Sequence, residues 1–102
     1  MLERSLQQKI LLWARKLNIF CRKIEFPNFA GAPDCVFIYG GKTLWIEFKS
    51  PKGTGRLLAL QVFTHDQMRA AGAQVLVIDN YDKGVECLQN FFGLTSQPSK
   101  PP

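Results

Sequence analysis

The stretch that decides the fold is PDCVFIYGGKTLWIEFK, residues 33–49. Two apolar runs, Asp34 to Tyr39 and Thr43 to Lys49, flank Gly40-Gly41, and both glycines can adopt the positive φ that a tight hairpin requires. A two-residue loop pairs Tyr39 with Lys42. Counting outward from that pair brings Asp34 opposite Glu47, and a four-residue loop centred on the same glycines keeps this register. Directly opposed residues project to one face with Cβ atoms roughly 4.5–5.5 Å apart. Two carboxylates are therefore expected side by side.

Like charges directly opposed in a sheet are destabilising, and a bound divalent cation removes that penalty. Magnesium takes hard oxygen ligands, commonly one or two carboxylates with water and substrate phosphate in the remaining positions, so the pair suits phosphate chemistry. Alternation along the third strand puts Trp45, Glu47 and Lys49 on one face and Leu44, Ile46 and Phe48 on the other. An ammonium at Lys49 then lies beside the carboxylates, where it can orient an attacking water, help deprotonate it, or stabilise charge in the transition state.

Outward from the hairpin, Leu2, Leu6, Ile10, Trp13 and Leu17 recur at helical spacing, which predicts a first helix over Leu2 to Leu17. Ile19 to Phe26 is rich in β-branched and aromatic residues and predicts a strand that Pro27-Asn28 breaks. Leu57 to Ala71 predicts a second helix with Gly72 as its left-handed cap. Gln74 to Asp79 is a short apolar strand, and Asn80-Tyr81-Asp82 leads into a last helix ending near Gly93, with Gly84 a weakness in its interior. Residues 95–102 are polar and proline-rich and are expected to be disordered. The order α-β-β-β-α-β-α predicts an α/β domain over residues 1–94, with a mixed central sheet flanked by helices.

With 102 residues and 46% hydrophobic composition, the chain can bury one core. A net charge of +5 favours polyanionic partners, nucleic acid first, with anionic membrane surfaces and acidic proteins as competitors. Cys21, Cys35 and Cys87 fit neither a disulfide framework nor a paired-cysteine zinc site and are expected as reduced, buried thiols. The amino-terminal segment lacks the apolar run of a secretory signal, and no stretch is long enough to span a bilayer. These features predict a protein of a reducing cytoplasm. Gly53-Thr54-Gly55 lacks the Gly-Lys-Ser/Thr ending of a P-loop, so no nucleotide cofactor is expected.

Pro33-Asp34 followed by Glu47-Phe48-Lys49 resembles the signature of the PD-(D/E)XK nucleases, whose fold is restriction-endonuclease-like. Gly31-Ala32-Pro33-Asp34, Ile46-Glu47-Phe48-Lys49, Gly55-Arg56-Leu57 leading to Gln61, and Gly72 before an apolar strand are similar to the VRR-NUC branch, in its stand-alone, phage-type form. The resemblance runs from about Leu2 to Asp79, although the valine-arginine-arginine motif of the name is not found. It implies Asp34, Glu47 and the main-chain carbonyl of Phe48 as ligands of Mg2+ or Mn2+. It further implies Lys49 as catalytic lysine, Glu3 as the acidic residue of the first helix and Gln61 as the glutamine of the second. The activity implied is hydrolysis of phosphodiester bonds in DNA. Stand-alone members resemble Holliday-junction resolvases, so branched DNA and a homodimer are expected, since two copies present two sites for paired cuts.

Lys52 and Arg56, with Arg22 and Lys23, are the candidate contacts to DNA phosphates; solvated cations would read the same way. His65, next to Asp66, reads as a surface or interface residue. Phe91, Phe92 and Leu94 read as core cover, with a dimer contact as the alternative. The rival functions are a nickase, repair or restriction-type nuclease acting on flap or duplex DNA, and a non-catalytic nucleic-acid-binding module. Taken singly, Asp34 is also a plausible turn residue and Glu47-Phe48-Lys49 a plausible charged strand edge.

Overall fold

A computed structural model describes residues 3–27, 31–50 and 57–94. The elements are α1 (Glu3–Lys16), β1 (Phe20–Lys23), β2 (Cys35–Tyr39), β3 (Lys42–Phe48), α2 (Ala59–Ala70), β4 (Gln74–Ile78) and α3 (Tyr81–Phe92). The expected tail 95–102 lies outside the described residues. Among the described residues, no helix is long and apolar enough to cross a membrane.

The four strands form one sheet in the order β1-β2-β3-β4. β1 to β3 are antiparallel neighbours, and β4 joins β3 in parallel after the crossover through α2, as the alternation of elements requires. The hairpin register runs from Tyr39↔Lys42 to Cys35↔Ile46, with Gly40 and Gly41 at φ 59° and 80°. Asp34 falls one residue beyond the last ladder pair, so β2 is shorter than expected by that residue. β1 is also shorter than the expected run from Ile19 to Phe26, because its partner β2 ends at Tyr39 and begins at Cys35.

One face of the sheet carries the core. Leu44, Ile46 and Phe48 of β3, Cys21 of β1 and Cys35 and Phe37 of β2 are fully buried, packed with Leu6, Ile10 and Ala14 of α1 and Leu88 of α3. At roughly 1.5–3 kcal/mol for each large apolar side chain, this face holds most of the stabilising burial. Phe92 is buried and Phe91 and Leu94 pack against the cluster, the core-covering alternative. All three cysteines are free thiols, but Cys87 is only partly buried, not buried as expected, because it packs on the outside of the core cluster. Burial raises the pKa of Cys21 and pushes that of Cys35 up to about 12, which makes both inert.

Gly84 stands within α3 for a packing reason. A Cβ there would lie 2.9 Å from Ile78 Cγ2 and 3.0 Å from Ile10 Cδ1, so the missing side chain lets α3 approach both α1 and β4. Asn80 caps the same helix by accepting a hydrogen bond from the Lys83 amide at 2.9 Å. At the end of α2, Gly72 (φ 103°) donates to the Arg69 carbonyl and Ala73 to the Met68 carbonyl, the paired bonds of a Schellman stop. That stop turns the chain directly into β4.

Candidate metal centre

The second face of the sheet carries Trp45, Glu47 and Lys49, as the alternation along β3 requires, and α2 packs over its β4 side. Two contacts fix the carboxylates relative to each other. Asp34 Oδ2 accepts the Phe48 amide N–H at 2.9 Å, which ties the residue beyond the ladder back onto β3. Its own carbonyl accepts the Ile24 N–H at 2.9 Å, anchoring it on the β1 side as well.

Glu47 is buried, with only 3% of its surface exposed. Its Oε2 accepts a hydrogen bond from Gln61 Nε2 at 2.8 Å and lies 3.4 Å from Lys49 Nζ. Lys49 Nζ in turn donates to Gln61 Oε1 at 3.1 Å. The other carboxylate oxygen, Oε1, is buried without a partner. Burial first, and the neighbouring charge of Asp34 second, push the Glu47 pKa up to about 7, against the lowering effects of Lys49 and Gln61. A buried acceptor left unmatched is destabilising by about 1–3 kcal/mol, more when charged. An orphaned carboxylate oxygen beside a second carboxylate is a fit for a hard cation, which would satisfy one and neutralise both.

Gln61 has a second task that explains its position. At the third residue of α2, its Oε1 also accepts the Leu58 N–H at 2.9 Å, the back-reaching half of a capping box. Leu58 has no side-chain acceptor, so the reciprocal half is missing. One amide thus starts the helix and joins it to Glu47 and Lys49. The local signal for this was present in the sequence: a glutamine at the third helical position reaches back toward the turn before it.

α2 is held over the site by Gly31. At φ 93°, a Cβ there would sit 2.8 Å from the Leu60 carbonyl oxygen and 2.9 Å from Thr64 Oγ1. The loop that delivers Asp34 therefore rests directly on the helix that delivers Gln61.

His65 corrects the sequence reading. It is fully buried, not at the surface, and both ring nitrogens lack a hydrogen-bond partner. Burial, with Arg69 and Lys49 nearby, lowers its pKa. Lying one turn after Gln61 on the same side of α2, it points inward, whereas Leu58, Leu60, Val62 and Phe63 are exposed. The polar side of α2 faces the sheet, the reverse of the usual arrangement.

Of the remaining sequence candidates, Lys23 lines a polar cleft of about 300 Å³ with Asp34, Arg4 and Gln7, at the first turns of α1. Arg22 instead stacks over Phe20, 4.4 Å from the ring centroid, and donates to the Cys21 carbonyl at 2.8 Å. Glu3 begins α1, so the helix places it near this cleft, but its side chain lies outside the described residues, as do Lys52 and Arg56. Among the described residues no group of three or more His, Cys, Asp or Glu converges; the described carboxylates at the site are Asp34 and Glu47.

Fold and site together define an α/β domain whose antiparallel hairpin and helical crossover gather two carboxylates, a lysine and a glutamine onto one face. A solved structure described as a VRR_NUC domain is similar over 88% of this chain and 97% of its own length, with a TM-score of 0.77 at 21% sequence identity. The chain therefore has the fold of a VRR_NUC domain, in agreement with the mixed sheet and helices expected from sequence. No protein-family model and no curated protein matches the sequence.

Proposed function

We propose that this chain is a divalent-metal-dependent nuclease that hydrolyses phosphodiester bonds in DNA, acting on branched DNA as a homodimer. The observation that carries the reading is the buried Glu47 carboxylate, with one oxygen held by Gln61 and Lys49 and the other left without a partner beside Asp34. The VRR_NUC fold and the net charge of +5 support it further.

Asp34, Glu47 and the Phe48 carbonyl would hold Mg2+ or Mn2+. When bound, the metal lowers the pKa of its water and neutralises charge on the scissile phosphate. The chain's own residues do the rest. In the hydrolysis, water oxygen bonds to phosphorus and one phosphorus–oxygen bond to deoxyribose breaks, releasing an alcohol. Lys49, fixed by Gln61 and Glu47, places a cation where negative charge develops during that exchange. Lys23 and Arg4, in the cleft beside Asp34, are positioned to receive the flanking phosphate. Glu3 completes the acidic set in this reading, and Lys52, Arg56 and Arg22 contribute cations along the backbone.

The homodimer reading is supported by the outward side of α2, where Leu58, Leu60, Val62 and Phe63 present apolar surface next to the site. A two-fold partner seated there would set two sites at a fixed separation.

The test is cleavage of labelled four-way junction, flap and duplex substrates with magnesium, manganese or chelator. Junction cleavage that requires metal and is lost in Asp34→Ala and Glu47→Ala supports the proposal. Cleavage that persists in both variants sinks the site assignment, and equal cleavage of plain duplex sinks the preference for branches. Light scattering in solution distinguishes the 11.6 kDa monomer from the dimer.

A further inference from the structure

The groove lined by Ile24, Glu25, Phe26, Pro27 and Trp45 has a volume of about 440 Å³, in the range of small-ligand sites. Its walls are the immediate neighbours of the two carboxylates. Ile24 is bonded through its N–H to the Asp34 carbonyl, and Trp45 stands two residues before Glu47 on the same face of β3, about 7 Å along the strand. Phe26 is 37% exposed and meets the half-buried Trp45 edge-on, with centroids 6.0 Å apart and an interplanar angle of 67°. Two rings so arranged leave a corner bounded by an aromatic face and an aromatic edge.

The charge distribution selects the occupant. Cations lie in the neighbouring cleft, where Lys23 and Arg4 accompany Asp34, whereas among the described residues the groove lining holds none and carries the Glu25 carboxylate. A phosphate is repelled there, and a flat, neutral, aromatic group is accepted. The group that DNA carries beside every phosphate is the base. In continuous duplex each base has both faces covered by its neighbours, so only an unstacked base can meet the rings.

Resting on the nuclease reading, we propose that Phe26 and Trp45 form a stacking site for one unpaired base next to the scissile phosphate, making the enzyme selective for DNA with an unpaired nucleotide. Stacking supplies affinity without reading identity, because every base has a π face, so the selectivity is for structure and not sequence. An already unpaired base also enters without the energy of breaking a pair. Strand β3 thereby couples recognition to chemistry, with the base at Trp45 and the phosphate at Glu47.

The test is equilibrium binding of the full chain to fluorescent DNA in chelator, where no cleavage interferes. Three duplexes of one sequence are compared: fully paired, with a single bulged thymidine, and with the same bulge lacking its base. The bulged thymidine binds about 10-fold more tightly than the abasic bulge, on the scale of a single base–aromatic stack. Phe26→Ala and Trp45→Leu abolish that ratio and leave the fully paired duplex within two-fold. Phe26→Leu, which keeps apolar volume without a ring, gives the same result if stacking is responsible, and thermal unfolding verifies that each variant folds. Equal binding of the two bulges by the native chain, no measurable binding of the bulged duplex, or equal weakening of all three DNAs by Phe26→Leu overturns the proposal. Separate magnesium-dependent cleavage distinguishes the two readings. Base discrimination without cleavage by any metal removes the nuclease and leaves the stacking site, while cleavage without discrimination does the reverse.

Discussion

Replacing Glu47 by glutamine removes one charge from the most buried acidic position among the described residues while keeping the side chain's shape. In the folded chain the Glu47 pKa is about 7, against an ordinary value of 4.5, chiefly because the group is buried and then because Asp34 is close. The folded pKa lies above the unfolded one, so the folded state holds a proton more tightly than the unfolded state between these values. The associated stability is fully present below about pH 4.5 and is lost as pH rises through 7. That interval corresponds to about 3 kcal/mol, a large part of the 5–15 kcal/mol typical of a domain. For a domain of this size, the loss lowers the melting temperature by on the order of 10 °C. Unfolding followed by circular dichroism in chelator, from about pH 5 to pH 8, reads the effect as the difference between native and Glu47→Gln chains, in which other titrating groups cancel. The native chain loses stability relative to the variant as pH rises, and the variant is the more stable near pH 8. Magnesium restores the native chain at pH 8 and leaves the variant unchanged. A variant that is less stable than the native chain at pH 8, or a difference that does not move with pH, refutes the account of a strained, cation-accepting carboxylate.

Gly31→Ala places a methyl group 2.8 Å from the Leu60 carbonyl oxygen at a positive φ; it destabilises the chain by about 1–3 kcal/mol in urea titration and lowers cleavage by shifting α2 from the Asp34 loop. Gln61→Ala removes the contacts to Glu47, Lys49 and the Leu58 amide; cleavage falls by more than 10-fold, a larger change than the roughly 1 kcal/mol loss in stability seen in the same protein. Gly84→Ala sets a helix-propensity gain of about 1 kcal/mol against overpacking of about 1–3 kcal/mol. Because the clash at 2.9 and 3.0 Å is with buried side chains of Ile78 and Ile10, overpacking wins and thermal unfolding shows a lower midpoint.

The sequence alone determined the hairpin and what it brings together. Gly40-Gly41 can only be spent on a tight turn, and a tight turn fixes every later pair by counting, so the nearness of Asp34 and Glu47 and the side of β3 that Lys49 occupies were legible without coordinates. Element order was legible for the same reason, since helical and strand periodicities and glycine stops are properties of neighbouring residues. Only tertiary structure decided which side of α2 turns inward. Leu58, Leu60, Val62 and Phe63 cluster at the start of that helix, so local hydrophobicity assigns them to the interior and leaves Gln61 and His65 in solvent. The opposite holds because docking is set by what waits across the gap: Glu47 and Lys49, themselves an ion pair, each offer Gln61 a hydrogen bond, and Gly31 gives the loop its close seat on the helix. The elevated Glu47 pKa belongs to the same level, since a desolvated charge exists only once an element from elsewhere in the chain has covered it.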